Sequence, residues 1–230
     1  MAGEGFDPRP RGGASYVVGD TSVPLAHVTV SALLADTVRR YPDAEAVVFR
    51  EQGVRWTWRA FAEQVDALAA GLHALGLQRG DRIGIWSPNR FEWVLTQFAT
   101  ARLGLILVNI NPAYRLSELE YALNKVGCKA IVAAEAFKTS RYLEMLQTLA
   151  PELATAQPGA LNAAKLPALR WVIRMGEAAT PGMINFADVI ARGTGVPVDA
   201  LDAITNALLP DDAINIQFTS GTTGAPKGAT

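Results

Sequence analysis

One cysteine, Cys128, stands among 230 residues, so no disulfide can close within the chain and no cysteine-based metal site can be assembled. Its neighbours Val126, Ala130, Ile131 and Val132 are apolar. That is the setting of a buried, inert thiol, because an activated one needs an electropositive and accessible site. Histidine is equally scarce: His27 and His73 are far apart, and neither has a second ligand at metal spacing. His73 falls in a helical pattern and reads as a surface or boundary residue. No charge of one sign dominates, with 21 Lys and Arg against 22 Asp and Glu and a net charge of -1. The basic footprint of a nucleic-acid or anionic-membrane binder is therefore missing, and no nucleic-acid partner is expected. There is no run of about 18 apolar residues, so no transmembrane segment is expected. The longest apolar stretch, 98–110, is interrupted by Arg102 and contains Gly104. Residues 1–11 lack the apolar core of a secretory signal, and their acids and prolines argue against a transit peptide. A reducing cytoplasm is the expected location. Neither the Gly-x-Gly-x-x-Gly fingerprint nor the Walker pattern occurs, which removes motif support for dinucleotide-binding and P-loop NTPase readings.

What is present suits an ordered chain, since half the residues are apolar and 19% are charged. Pro8, Pro10, Gly12, Gly13 and Gly19 make residues 1–28 an irregular arm. Beyond it, Leu33, Leu34, Val38 and Tyr41 recur at helical spacing until Pro42. Runs at 45–50 and 54–58 around Gly53 predict a hairpin. From Thr57 as N-cap, the stripe Phe61, Val65, Leu68, Leu72 and Leu75 predicts a helix ending at Gly76. A strand over 83–86, a helix bearing Phe91, Val94, Leu95 and Phe98, and a strand over 105–109 follow. A capping box at Ser117 and Glu120 then opens a helix closed by Gly127, and a strand covers 129–134. This alternation predicts an α/β fold, a parallel-rich sheet with helices on both faces. Residues 137–149 read as one further helix, 151–167 as a surface excursion, and 170–175 as a strand. Residues 188–192 read as a short helical turn at most, and the pattern from there to Pro210 specifies no element. Trp86, Trp93 and Trp171 are expected in the core.

A last strand over 214–218, with Ile214, Ile216 and Phe218 on one face, delivers the most informative segment. Residues 219–228 pack four hydroxyl side chains, three glycines and one lysine into ten positions. Gly221 and Gly224 allow the backbone to approach a ligand and turn successive N–H groups toward it. The hydroxyls of Thr219, Ser220, Thr222 and Thr223 can donate to phosphate oxygens. Lys227, on an approach stiffened by Pro226, supplies a compact positive charge. A loop directly after a parallel strand also lies where open α/β sheets bind ligands. Composition alone leaves a solvated Gly/Ser/Thr turn equally open.

The ordered string from Phe218 to Ala229 resembles the signature loop of the adenylate-forming superfamily, which includes acyl-CoA synthetases, luciferases and peptide-synthetase adenylation domains. Gly80-Asp81-Arg82-Ile83, Ser87-Pro88-Asn89 and Val108-Asn109-Ile110-Asn111-Pro112-Ala113-Tyr114-Arg115 carry the likeness upstream, and the Asn-Pro-Ala-Tyr-Arg run is most similar to medium- and long-chain fatty acyl-CoA synthetases. The resemblance implies that residues 29–230 are a partial N-terminal AMP-binding domain ending at the phosphate-binding loop, an incomplete N-terminal part of the adenylate-forming enzyme fold. It implies a two-step reaction in which a carboxylate attacks the α-phosphate of Mg-ATP to give acyl-AMP and pyrophosphate, and coenzyme A then displaces AMP. Thr219, Ser220, Gly221, Thr222, Thr223, Gly224 and Lys227 would hold the ATP phosphates. The partners implied are a carboxylic acid, expected to be a fatty acid, with ATP, Mg2+ and coenzyme A, and no permanently bound cofactor. No catalytic or metal-ligating residue is assigned, since the family's later motifs have no counterpart up to Thr230. The chain alone is therefore expected to be inactive, with unpaired sheet edges where returning strands are missing. A non-catalytic nucleotide-binding or interaction remnant, and part of another acid-activating enzyme, are the alternatives.

Overall fold

A computed structural model of the chain describes residues 22–219 and 225–230. Residues 22–29 contain no helix or strand, and the rest of the expected arm lies outside the described residues. Thr29 caps the first helix, α1 (Val30–Arg40), by accepting the Ala32 N–H at 3.1 Å. Of the apolar positions expected to face inward, Leu34 is buried and Val38 packs on the core, while Leu33 and Tyr41 are exposed. Strands β1 (Glu45–Phe49) and β2 (Val54–Thr57) form the expected antiparallel hairpin. Gly53 turns it at φ 65°, a left-handed conformation that costs glycine nothing. Thr57 then starts α2 (Trp58–Ala74) by accepting the Ala60 N–H at 3.2 Å. Its stripe Phe61, Val65, Leu68, Leu72 and Leu75 is buried as the spacing requires, each large side chain contributing about 2 kcal/mol by leaving water. Trp56 stacks on Phe61 and meets Phe91 edge-on at 5.4 Å, which docks the hairpin on the helices.

The alternation then proceeds through β3 (Arg82–Trp86), α3 (Phe91–Leu103), β4 (Ile106–Asn109), α4 (Leu116–Val126) and β5 (Cys128–Ala133). The cap of α4, Arg115, lies two residues before the expected Ser117. Glu118, not Glu120, reaches back to accept the Arg115 N–H at 3.1 Å, because the turn after Asn111 leaves Arg115 as the last extended residue. Residues 137–149 are not one helix. Strands β6 (Ala136–Phe137) and β7 (Ser140–Arg141) make a minute hairpin before α5 (Tyr142–Leu149), with Lys138 in the left-handed region at φ 52°.

The stretch expected to be a surface excursion is instead a wall of the core. Leu153, Leu161, Ala163 and Leu166 are buried, and the Glu152 carboxylate accepts the Ala164 N–H at 2.9 Å. Irregular backbone carries these side chains inward without any period for a sequence to display. Next come β8 (Trp171–Arg174), β9 (Ile184–Asn185), α6 (Phe186–Arg192) and α7 (Val198–Asn206). The last two correct an underestimate: seven residues of helix stand where 188–192 read as a short turn at most, and nine where the pattern specified no element. Chain pairing ends with β10 (Asn215–Thr219) and β11 (Lys227–Ala229).

Among the described residues, seven strands form the main sheet in the order β11-β10-β4-β3-β5-β8-β9, parallel throughout except for β11. The expected α/β class with a parallel-rich sheet holds. The expectation that no strand returns after the loop does not, because β11 folds back antiparallel on β10. Helix α3 packs with α1, α2 and α7, whereas α4 packs with α5 and β11, so the sheet is covered on both faces. At the α2–α6 crossing Gly71 and Gly193 touch: a Cβ on Gly71 would stand 2.1 Å from the Val189 carbonyl oxygen. Trp86 is fully buried, while Trp93 and Trp171 are half-buried against the core.

Candidate functional site

Parallel strands all end at one edge of a sheet, and β3, β4, β5, β8 and β10 deliver Trp86, Asn109, Ala133, Arg174 and Thr219 to that edge. From β3 the chain leaves into α3, and from the adjacent β4 into α4 on the other face. Such a reversal opens the crevice where open α/β sheets take ligands. Its floor is closed by two aromatic side chains. Trp86 stacks on Tyr142 at 3.7 Å between ring centres, the indole N–H donates to the Asn111 carbonyl at 3.1 Å, and the Tyr142 hydroxyl donates to the Pro112 carbonyl at 2.7 Å. The 110–115 segment is thereby tied down in front of α4.

Strand β10 pairs with β4 from Asn215 opposite Leu107 to Gln217 opposite Asn109, so Thr219 projects beyond the end of β4. It then pairs with β11 through Gln217–Ala229, Phe218–Gly228 and Thr219–Lys227. Of the seven expected phosphate-binding residues, the structure brings together Thr219 and Lys227, as the last facing pair of this hairpin, and both are exposed. The Thr219 hydroxyl lies 3.4 Å from the Lys227 carbonyl, to which it donates. Ser220, Gly221, Thr222, Thr223 and Gly224 lie outside the described residues. Lys227 was expected at the far end of the loop and is instead the first residue of a strand, because backbone pairing with Thr219 closes the hairpin there.

The hairpin is held from one side by α4. Tyr121 donates its hydroxyl to the Pro226 carbonyl at 3.0 Å, and its ring meets Phe218 edge-on at 6.4 Å. A Cβ on Gly228 would come within 3.1 Å of Ile216 and 3.6 Å of Val126, so the returning strand lies close against its partner strand and the helix. Burial first, then the charges of Glu118 and Tyr121, push the neighbouring Tyr114 phenol above its ordinary range. Arg115 is exposed at the same edge and reaches Thr139 at 3.4 Å. Sequence reasoning missed Tyr121 because its partner is 105 residues away, a pairing that no local pattern encodes.

A cavity of about 690 Å³ lies elsewhere, between α1, α2, α3 and α7. Its polar wall is Arg102, which bonds Asp66 at 2.9 Å and Asp202 at 2.6 Å. Burial works to lower the Arg102 pKa, but the bonds to Asp202 and Asp66 outweigh it and hold the guanidinium charged. Cys128 is buried, and desolvation, opposed only by Arg82, pushes its thiol to about 12. The inert reading is the right one. Among the described residues no group of three or more His, Cys, Asp or Glu side chains gathers as a metal site, and no helix is long and apolar enough to cross a membrane.

An open, mostly parallel sheet, wound on both faces and ending in a hairpin flanked by Thr219 and Lys227, defines a doubly wound α/β domain. Residues 34–230 match the family of AMP-binding enzymes, and the chain belongs to that family. It is 50% identical over 216 residues to medium-chain acyl-CoA ligase ACSF2, mitochondrial, of Danio rerio, covering 94% of this chain and 36% of that one. It is 49% identical over 222 residues to the Homo sapiens protein of the same name, covering 96% and 36%. The crystal structure of the anthranilate CoA ligase AuaEII with anthranoyl-AMP superposes with a TM-score of 0.66, at 21% identity, over 90% of this chain and 35% of that one. At that identity the likeness shows the fold. The chain thus spans about a third of the length of the curated relatives it matches, and corresponds to their N-terminal part.

Proposed function

We propose that this chain carries the ATP-phosphate grip of an AMP-forming acyl-CoA synthetase, within a partial N-terminal domain over residues 29–230. The observation behind this reading is the Thr219–Lys227 pair, the last before the connection of the β10–β11 hairpin, where the parallel strands end. An exposed hydroxyl and an exposed lysine flank the connection, and residues 215–230 contain no Asp or Glu. That donor set fits a polyphosphate. Thr219, Ser220, Thr222 and Thr223 would offer hydroxyl donors, Gly221 and Gly224 open backbone N–H groups, and Lys227 positive charge to the β- and γ-phosphates. Holding charge on the departing pyrophosphate is the main electrostatic task when a carboxylate attacks the α-phosphate. Mg2+ would enter on the ATP phosphates. Acyl transfer to coenzyme A would complete the reaction using residues beyond the matched third.

The acid is proposed to be a medium-chain fatty acid, on the names of the relatives and the Asn111-Pro112-Ala113-Tyr114-Arg115 run. A reducing compartment suits the lone thiol. The cytoplasm meets that condition, and so does the mitochondrial interior for which the relatives are named. Fractionation of the cellular protein separates the two. Carboxylate-dependent ATP–pyrophosphate exchange, run on this chain and on its extended reading frame with a panel of acids, tests the activity. Exchange by the extended protein that peaks at medium chain length is the expected result, with none from the chain alone. ATP binding by the chain without exchange in either form would favour a nucleotide-binding remnant.

A further inference from the structure

We infer that Tyr121 is the positioning residue of the phosphate grip, holding the returning stem of the hairpin against α4. The inference rests on the phosphate-loop reading above. An anion held between two backbone stems binds at the cost of ordering whatever was not already fixed. Affinity then depends on how far the stems are fixed beforehand. The outgoing stem is β10, paired in register with β4. The returning stem is β11, at the end of the sheet order, with β10 as its only strand neighbour among the described residues.

Tyr121 addresses both stems. Its hydroxyl donates to the carbonyl of Pro226, the residue immediately before Lys227, at 3.0 Å, and its ring packs edge-on against Phe218 of β10. Proline restricts the backbone there, so one bond to its carbonyl constrains the peptide from which Lys227 departs. The helix supplying the tyrosine is itself anchored. Glu118 accepts from the Arg115 N–H, and the Trp86 and Tyr142 donors hold the carbonyls of Asn111 and Pro112 in front of it. Gly228 lets β11 lie close to Val126 on the same helix. Helix α4 is in this way a splint, and Tyr121 is the group that joins it to the grip.

The test compares wild type with Tyr121→Phe, which keeps the ring and removes the donor, and with Tyr121→Leu, which removes both. Hydrogen exchange is read over residues 215–219 and 225–230 without ligand, together with MgATP affinity and melting temperature. In Tyr121→Phe, exchange in the hairpin is expected to quicken about fivefold and MgATP to bind about fivefold more weakly, the scale of one ordinary hydrogen bond. The melting temperature and exchange in β5 and β8 should stay at wild-type values. Tyr121→Leu should lose more in both hairpin readouts. Wild-type exchange in the Tyr121→Phe hairpin would overturn the inference, and so would faster exchange with unchanged MgATP affinity, which would leave Tyr121 purely structural. Wild-type protein that never binds MgATP would instead sink the phosphate reading, and the ligand-free exchange would still report whether Tyr121 holds the hairpin.

Discussion

Trp86 and Tyr142 lie face to face, 3.7 Å between ring centres and 19° from parallel, and donate to the carbonyls of two consecutive residues, Asn111 and Pro112. Helices α3 and α4 and strands β4 to β7 separate them in sequence, yet together they close the floor of the ligand edge. Tyr142→Phe should cost about 1 kcal/mol through the lost hydrogen bond. Tyr142→Ala should cost about 4 kcal/mol, because it also opens a cavity under Trp86. Urea unfolding followed by tryptophan fluorescence measures both, and equal midpoints for the two variants would contradict the stacking argument.

Lys227→Ala, made in the extended reading frame, should slow adenylate formation about 100-fold, the scale set by removing one charge-stabilising donor. Thioester formation from supplied acyl-AMP should be nearly unaffected, since no pyrophosphate leaves in that step. Lys227→Arg should recover part of the first rate by restoring charge without the compact ammonium. Separate assays of the two half-reactions decide it, and equal slowing of both would remove Lys227 from the phosphate site.

Alkali should destabilise the fold through Cys128. Burial pushes its thiol up to about 12 in the folded chain, against about 8.5 when unfolded. The unfolded state therefore binds fewer protons between those values, and stability falls as pH rises through that window, having been fully present below it. Tyr142, pushed up to about 12 by burial, adds a decline of the same sign beginning at higher pH. Urea midpoints from pH 8 to 11 should fall less steeply for Cys128→Ala than for wild type. Ellman's reagent should find no reactive thiol until denaturant is added.

Gly71→Ala should destabilise by about 3 kcal/mol, at the upper end of ordinary overpacking. The added Cβ would meet the Val189 carbonyl oxygen at 2.1 Å, and backbone cannot rotate aside as a side chain can. Helix α6 has to shift, so faster hydrogen exchange in Phe186–Arg192 should accompany a lower melting temperature. An unchanged melting temperature would mean that α6 is not seated on α2.

Much of the fold was legible in local pattern. The α2 stripe, the Gly53 turn and the alternation from β3 to β5 depend on residues within a turn or two of one another, and each lies where periodicity put it, apart from the cap of α4, which Glu118 closes instead of Glu120. The likeness that identified the family rests on contiguous strings for the same reason. Legibility failed where burial is not periodic, as at Leu153, Leu161 and Leu166, and where a helix is short and held by distant partners, as α7 is by Arg102 bonding Asp202 and Thr205.

The candidate site divides along the same line. Its chemistry, a glycine- and hydroxyl-rich segment with one lysine, was set by residue type and order alone, because donors, charge and backbone freedom belong to individual residues. Its placement was decided by tertiary structure: Thr219 faces Lys227, Tyr121 grips Pro226, and β11 returns along β10. Those relations arise from strand pairing and helix packing between segments up to 105 residues apart, and only the folded chain brings such segments within reach of one another.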